Sequence, residues 1–367
     1  MRGIRTLLIL PLFLAASSLV LTSLAKSSSQ SPQPAVQVVD ATGRIVRLDK
    51  LPRRILVVGR GPHIILHLLY MFPEGKERLI GSVKKGKWAS NFLPLIDSDF
   101  EKKMMLGASP GPEEIAAVRP DLVLVRKSTI DGLAGPLDKI GIPLVHLGLE
   151  TPDQFFKDLA NLGILLGNEV RANDVAAFFR TRIERIQKGL SGLLESEKPR
   201  VLLAMSLQRG GKIAVQVPAV SWIQTIQVQT AGGNPVWREA SQESGAWTIV
   251  NFEQIAQWDP DKIFIVVWHT LDPQKTIDSL KSDLQWSELK AVKAKELYAF
   301  PADIFGWDSP DPRWILGINW LATRIYPGRF KRVNMTEEIF SYFGELYGMT
   351  RSDVTAKILP TVRLDVR

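Results

Sequence analysis

The sequence predicts an α/β protein of two Rossmann-like lobes joined by a long α-helix, and three observations carry that prediction. The first is alternation. Short aliphatic and β-branched runs alternate with segments of helical period, which implies mostly parallel sheets covered on both faces. The second is an internal echo. Glu113-Glu114-Ile115-Ala116-Ala117-Val118-Arg119-Pro120-Asp121 runs into Leu122-Val123-Leu124-Val125. Glu253-Gln254-Ile255-Ala256-Gln257-Trp258-Asp259-Pro260-Asp261 runs into Lys262-Ile263-Phe264-Ile265-Val266-Val267. Each reads as a short glutamate-led helix that stops before Pro-Asp, because proline disfavours helix in the residue before it, and then as a buried strand. The third is the stretch from Pro152 to about Leu194, which has no proline after its first turn. Its apolar spacing is helical throughout, through Phe155, Leu159, Leu162, Leu166, Val175, Phe179, Ile183 and Ile186.

Taken in order, residues 1–25 read as a signal peptide. Arg2 and Arg5 supply the positive end, Leu7 to Val20 the apolar core, and Ser23-Leu24-Ala25 the small-residue cleavage site. The apolar run is nearly long enough to span a bilayer, so an uncleaved anchor is the alternative; Pro11 and the small-residue exit favour cleavage. Residues 26–35 form a polar, disordered leader. A first lobe covers 36–150. It opens with a hairpin over Val36–Leu48 around Gly43. Strands follow at Ile55–Val58, Leu79–Val83, Leu122–Val125 and Leu144–Leu147, with a helix from Pro62 to Met71. The linker helix occupies 151–195, with a break at Gly167-Asn168 that leaves its longer part at about Val170–Leu194. A second lobe covers 196–330, with strands at Arg200–Met205, Ile213–Val217, Ile263–Val267 and Leu297–Phe300. Residues 331–367 form a helical tail.

Composition bounds the function. The chain contains no cysteine, so disulfides, iron–sulfur clusters and a lipid anchored through cysteine are excluded. Without residues 1–25 the 46 basic residues become 44 against 38 acidic ones, a net charge of +6. That excess is mild and dispersed. It fits an anionic ligand and, lacking a dense basic run interleaved with aromatics, does not fit nucleic acid.

Several of these segments, in this order, resemble the exported solute-binding proteins of ATP-driven (ABC) importers. They are Val39-Asp40-Ala41-Thr42-Gly43-Arg44, Pro52-Arg53-Arg54-Ile55, Glu113 through Val125, Leu162-Gly163-Ile164-Leu165-Leu166-Gly167 and the Glu253 repeat. The likeness is to the class whose lobes are joined by one long helix and which binds ferric siderophores, haem or cobalamin. It implies a periplasmic, monomeric protein without enzymatic activity or resident cofactor, whose partners are its ligand and the transmembrane permease subunits. It also implies that Glu113 and Glu253 dock on those subunits, although an acid in a first helical turn is equally explained by the helix dipole. The tail from Met335 to Leu359 loosely resembles that of members handling iron compounds or molybdate and tungstate.

In such a protein the ligand lies in a cleft between the lobes, contacted by loops after the strands of both sheets. This nominates Arg60, His63, Lys84, Trp88 and Arg126 from the first lobe, and Arg209, Trp247, Trp268, Trp307 and Arg313 from the second. Cations pair with carboxylates, catecholates or oxyanions, and aromatic faces suit the apolar parts of a chelate. A ferric chelate is the first expectation, with haem or cobalamin close behind; molybdate or tungstate is the alternative, and a sensor or adhesion module on the same fold a third. Trp320 and Trp258 are assigned to packing, and His67 to the core.

Enzyme-like patterns are weak. Gly81-Ser82-Val83-Lys84-Lys85-Gly86-Lys87-Trp88 has the glycine spacing of a phosphate loop, but Trp88 stands where a magnesium-binding hydroxyl is required. Gly59-Arg60-Gly61 lacks the third glycine of a dinucleotide turn. His63 and His67 lie four apart on one helix, with no third metal ligand nearby in sequence.

Overall fold

The computed structural model describes residues 36–84, 92–127, 132–209, 212–241, 246–268 and 271–367, the side chains of 207–209 and 212–214 excepted. The signal peptide and leader expected over 1–35 lie outside the described residues.

Strands β1 (Val36–Val39) and β2 (Ile45–Leu48) form the expected hairpin, with Val36 opposite Leu48 and Val39 opposite Ile45. Alternation decides their faces: Val36, Val38, Val46 and Leu48 are buried, and the residues between them are exposed. Strands β3 (Ile55–Val58), β4 (Leu79–Val83), β5 (Met104–Leu106), β6 (Leu122–Arg126) and β7 (Leu144–Leu147) form a parallel sheet in the order β5-β4-β3-β6-β7. Every residue of β3 and β7 is buried, as continuous apolar runs require when helices cover both faces. Strand β5 has no counterpart in the sequence reading. It pairs through Gly81, opposite Met104, where a Cβ would stand 2.4 Å from the Met104 carbonyl oxygen. Gly81 is therefore explained by close strand approach rather than by a phosphate loop.

The second sheet holds β8 (Arg200–Arg209), β9 (Lys212–Val217), β10 (Asn234–Pro235), β11 (Thr248–Val250), β12 (Lys262–Val267) and β13 (Leu297–Ala299). Its order is β11-β9-β8-β12-β13, with β10 also beside β8. Strands β8, β12, β13 and β10 pair in parallel. Strand β9 departs from the alternation and returns antiparallel on β8, and β11 is antiparallel to β9. From Arg209 to Lys212 the chain is too short for a crossover helix, so only an antiparallel return is possible.

The echo in sequence is an echo in structure. Helices Pro112–Ala117 and Phe252–Trp258 each place their glutamate second and exposed, and each buries an isoleucine, Ile115 or Ile255. The residue before each proline is left-handed, with φ of 50° at Arg119 and 36° at Asp259. This conformation breaks the helix and turns the chain into the strand. The carboxylate after each proline then accepts from the neighbouring strand: Asp121 from the N–H groups of Arg53 (2.9 Å) and Arg54 (2.7 Å), Asp261 from that of Arg200 (2.8 Å). The guanidinium groups close the motif by donating to helix-end carbonyls, Arg54 to Val118 and Arg119, Arg200 to Trp258.

Between the sheets the linker consists of two helices, Pro152–Leu166 and Glu169–Gly189. They break where expected, because Gly167 is left-handed (φ 69°) and the Asn168 side chain caps the next helix by accepting from the N–H of Arg171 (3.0 Å). The second helix ends at Gly189, short of the expected Leu194, in turns around Leu190 and the left-handed Gly192. Phe155 from the first linker helix and Phe179 from the second meet each other at 4.5 Å, and both touch Trp314. Among the described residues no helix is long and apolar enough to cross a membrane.

The tail is helical only in part. Helix Met335–Tyr347 lies along the linker, where Glu338 pairs with both Arg182 and Arg185 at 2.7 Å. Arg171 donates to the carbonyls of Met71, Glu345 and Leu346, and the Tyr347 hydroxyl to that of His67. The final residues run beside β13, with Ala299 N–H donating to Val366 and Arg363 N–H to Ala302.

Candidate ligand cleft

Because β3, β4, β6 and β7 are parallel, their carboxyl ends gather Arg60, Lys84, Arg126 and the 148–150 loop at one edge of the first sheet. Arg60 and Lys84 are exposed there. Gly59 and Gly61 are both left-handed and turn the chain sharply after β3, and Pro62 starts the helix Pro62–Leu69. His63 stands in its first turn. Arg126 lies against this turn: a Cβ on Gly61 would be 3.1 Å from its Nη1 and 3.8 Å from Cε1 of His63. Arg126 also donates to Glu150, which sequence reasoning did not nominate.

The same helix meets the second lobe. The His63 ring packs on Phe305 at 4.3 Å between centroids. One turn on, buried His67 pairs through Nδ1 with Asp311, and Arg313 Nη1 lies 3.2 Å from that nitrogen. Arg313 Nε donates to both carboxylate oxygens of Asp303 (2.8 and 2.9 Å), and its Nη1 to Asp311 (2.9 Å). Its guanidinium carbon is 4.8 Å from the ring centre of Phe92. Burial alone would push the Asp311 carboxyl up, but His67 and Arg313 outweigh it and hold it well below the usual carboxylate range. Burial opposes the charge of Arg313 too, and Asp303 and Asp311 more than compensate, raising its pKa.

This centre corrects two nominations. Trp307 and Arg313 are both 0% exposed. Trp307 donates through Nε1 to Asp303 (3.1 Å), and its carbonyl accepts from Gln227 (2.7 Å). Arg313 is engaged by carboxylates from its own lobe. Neither presents a surface to a ligand here; Trp307 packs within its own lobe, and Arg313 joins the lobes from within through His67 and Phe92. His67 and Trp320 are in the core as expected. Trp268, at the end of β12, is 50% exposed, and Trp247 is half-buried against Trp222 at 5.8 Å. Trp88 and the side chain of Arg209 lie outside the described residues.

The 148–150 loop is unusually well fixed. Gly148 and Leu149 donate to the buried carboxylate of Asp158 (2.7 and 3.0 Å), and Glu150 N–H donates to Gln154 (3.0 Å). Burial pushes the Asp158 carboxyl up to about 7, against the pull of those two N–H groups. Among the described residues no group of three or more His, Asp or Glu could hold a metal ion. The arrangement can bind an anionic or amphipathic solute.

The profile of the Periplasmic binding protein family matches residues 86–304. The molybdate-binding protein MolA of Haemophilus influenzae is 22% identical over 355 residues, covering 90% of this chain and 96% of its own. A periplasmic solute binding protein from Veillonella parvula superposes with a TM-score of 0.70 at 22% identity, covering 89% of this chain and 99% of its own. Helicobacter pylori CeuE with Ni(II) bound gives a TM-score of 0.66 at 16% identity, covering 88% and 99%.

Proposed function

The chain belongs to the periplasmic binding protein family, and from that premise we propose that this solute-binding component of an ABC importer captures an anionic metal chelate, of ferric siderophore type, and delivers it to the membrane permease. The observation that carries the chelate is the mixed character of the cleft edge. Exposed cations Arg60 and Lys84 and the His63 ring belong to the first lobe, while Phe305 and half-exposed Trp268 belong to the second. Cations answer the charge of such a ligand and aromatic faces its apolar arms. Release from the native compartment with cargo aboard, followed by mass spectrometry and elemental analysis, tests this: iron is expected. Molybdenum would establish the second reading, an oxyanion binder, which the near full-length similarity to MolA favours.

In this reading the protein is exported by its N-terminal segment and docks through Glu113 and Glu253, both exposed at the second position of matching helices. Glu114 is the poorer candidate, since it accepts from Gly107 N–H (3.1 Å). Reversing both charges, Glu113→Lys with Glu253→Lys, is expected to abolish uptake and spare ligand binding; unchanged uptake with ligand binding intact excludes docking through these acids. The long second linker helix, Glu169–Gly189, and the buried His67–Asp311 pair resist hinge bending. Free and loaded forms therefore differ by small rotations, and a large compaction in solution scattering would contradict this.

A further inference from the structure

We propose that Glu150 sets the class of cargo: by occupying Arg126 it refuses bare oxyanions and leaves the cleft to larger chelates. The inference rests on the chelate reading above, with Arg126, at the carboxyl end of β6 beside the Gly61–His63 turn, facing the same cargo. The Arg126 side chain is only 13% exposed and Glu150 31%, so the acid is the more accessible partner at the cleft edge. Glu150 is built into its place rather than swung there. Leu149 before it is left-handed (φ 58°), and the loop is held by Asp158 and Gln154. A Cβ at Gly148 would lie 2.9 Å from Gln154 Oε1, so a side chain there would push aside the group that holds Glu150 N–H.

A small dianion seeks a guanidinium fork with two acceptors. Here it meets a fork already engaged by a fixed carboxylate, and must displace that carboxylate while enduring its charge. Repulsion of this kind discriminates between ligands as effectively as attraction. A bulky chelate spreads its charge and can rest on His63, Phe305 and Trp268 without evicting Glu150. The cation nearest His63 thus contributes orientation more than net charge.

Titration calorimetry with sodium molybdate at low salt, on wild type, Glu150→Gln and Glu150→Ala, decides the matter, with melting curves recorded on all three. Wild type is expected to bind molybdate weakly and the folded variants about tenfold more tightly. Equal or weaker binding by a folded variant, or no binding by any of the proteins, overturns the proposal. If both variants lose their melting transition, the pair is structural and the proposal falls as well. A native cargo of molybdenum would overturn the chelate reading itself. Native iron together with no gain in the variants overturns only the role of Glu150.

Discussion

The two lobes agree in one repeated unit and disagree at the cleft. At the helix–Pro-Asp–strand units they share the same features: a glutamate second in the helix, a buried isoleucine, a left-handed residue before the proline, a carboxylate bonded to the adjacent strand and an arginine over the helix end. At the cleft they differ in kind. The first lobe leaves Arg60 and Lys84 accessible, whereas the second folds Arg313 and Trp307 inward with two aspartates and exposes Trp268 instead. In the docking proposed above, a permease whose two subunits are related by a twofold axis would ask the same of both glutamate-led helices, while cargo in the gap would ask something different of each wall.

The contrast can be broken most forcefully at Arg313. Removing one member of a buried ionic cluster strands its partners, so Arg313→Met is expected to cost about 3–5 kcal/mol in chemical denaturation. Arg60→Ala should leave stability unchanged and weaken cargo binding. A stable Arg313→Met that fails only in binding would restore Arg313 to the cleft wall.

Asp158 offers a test confined to the first lobe. Its folded pKa of about 7 lies above the 3.8 of an ordinary aspartate, because burial disfavours the charge, so the folded state binds the extra proton. Stability is then fullest below about pH 4 and falls as pH rises towards 7, on the order of a few kcal/mol at most. Denaturation of Asp158→Asn should show a flatter dependence over that window, and a parallel curve would mean that the carboxyl is charged throughout.

The shared units predict smaller and paired effects. Arg54→Ala and Arg200→Ala should each lose about 1 kcal/mol, and clearly unequal losses would mean that the echo is geometric without being energetic. The smallest difference is at the caps. Asn251 and Gln254 form a reciprocal capping box, whereas Gly111 offers no side chain. Asn251→Ala should cost about 1 kcal/mol and Gly111→Asn gain a few tenths, read as shifts in denaturation midpoint.

Much of the scaffold was legible because burial on both faces writes a strand as an unbroken apolar run, as in Ile55–Val58 and Leu144–Leu147. The linker break was legible because Gly167 and Asn168 have the chemistry of a stop and a start. Strand β9 was misplaced in topology although Gly210-Gly211 in the sequence is itself a hairpin signal. The nomination of Arg313 ignored Asp303 and Asp311, close by in sequence and acidic enough to claim it. Its contact with His67, 246 residues away, had no local trace. Glu150 escaped notice because an acid in a loop means little until the β6–β7 pairing brings it beside Arg126.

The last residues beside β13 bear on how the chain can be handled. Val366 and Arg363 satisfy backbone groups of Ala299 and Ala302, and Asp365 holds Trp320 and Arg324. They act as a selvedge on the sheet, closing an edge that would otherwise be open to a strand from another molecule. Trimming them for crystallisation, or pulling on them with a bulky fusion partner, would invite self-association long before it melted the fold.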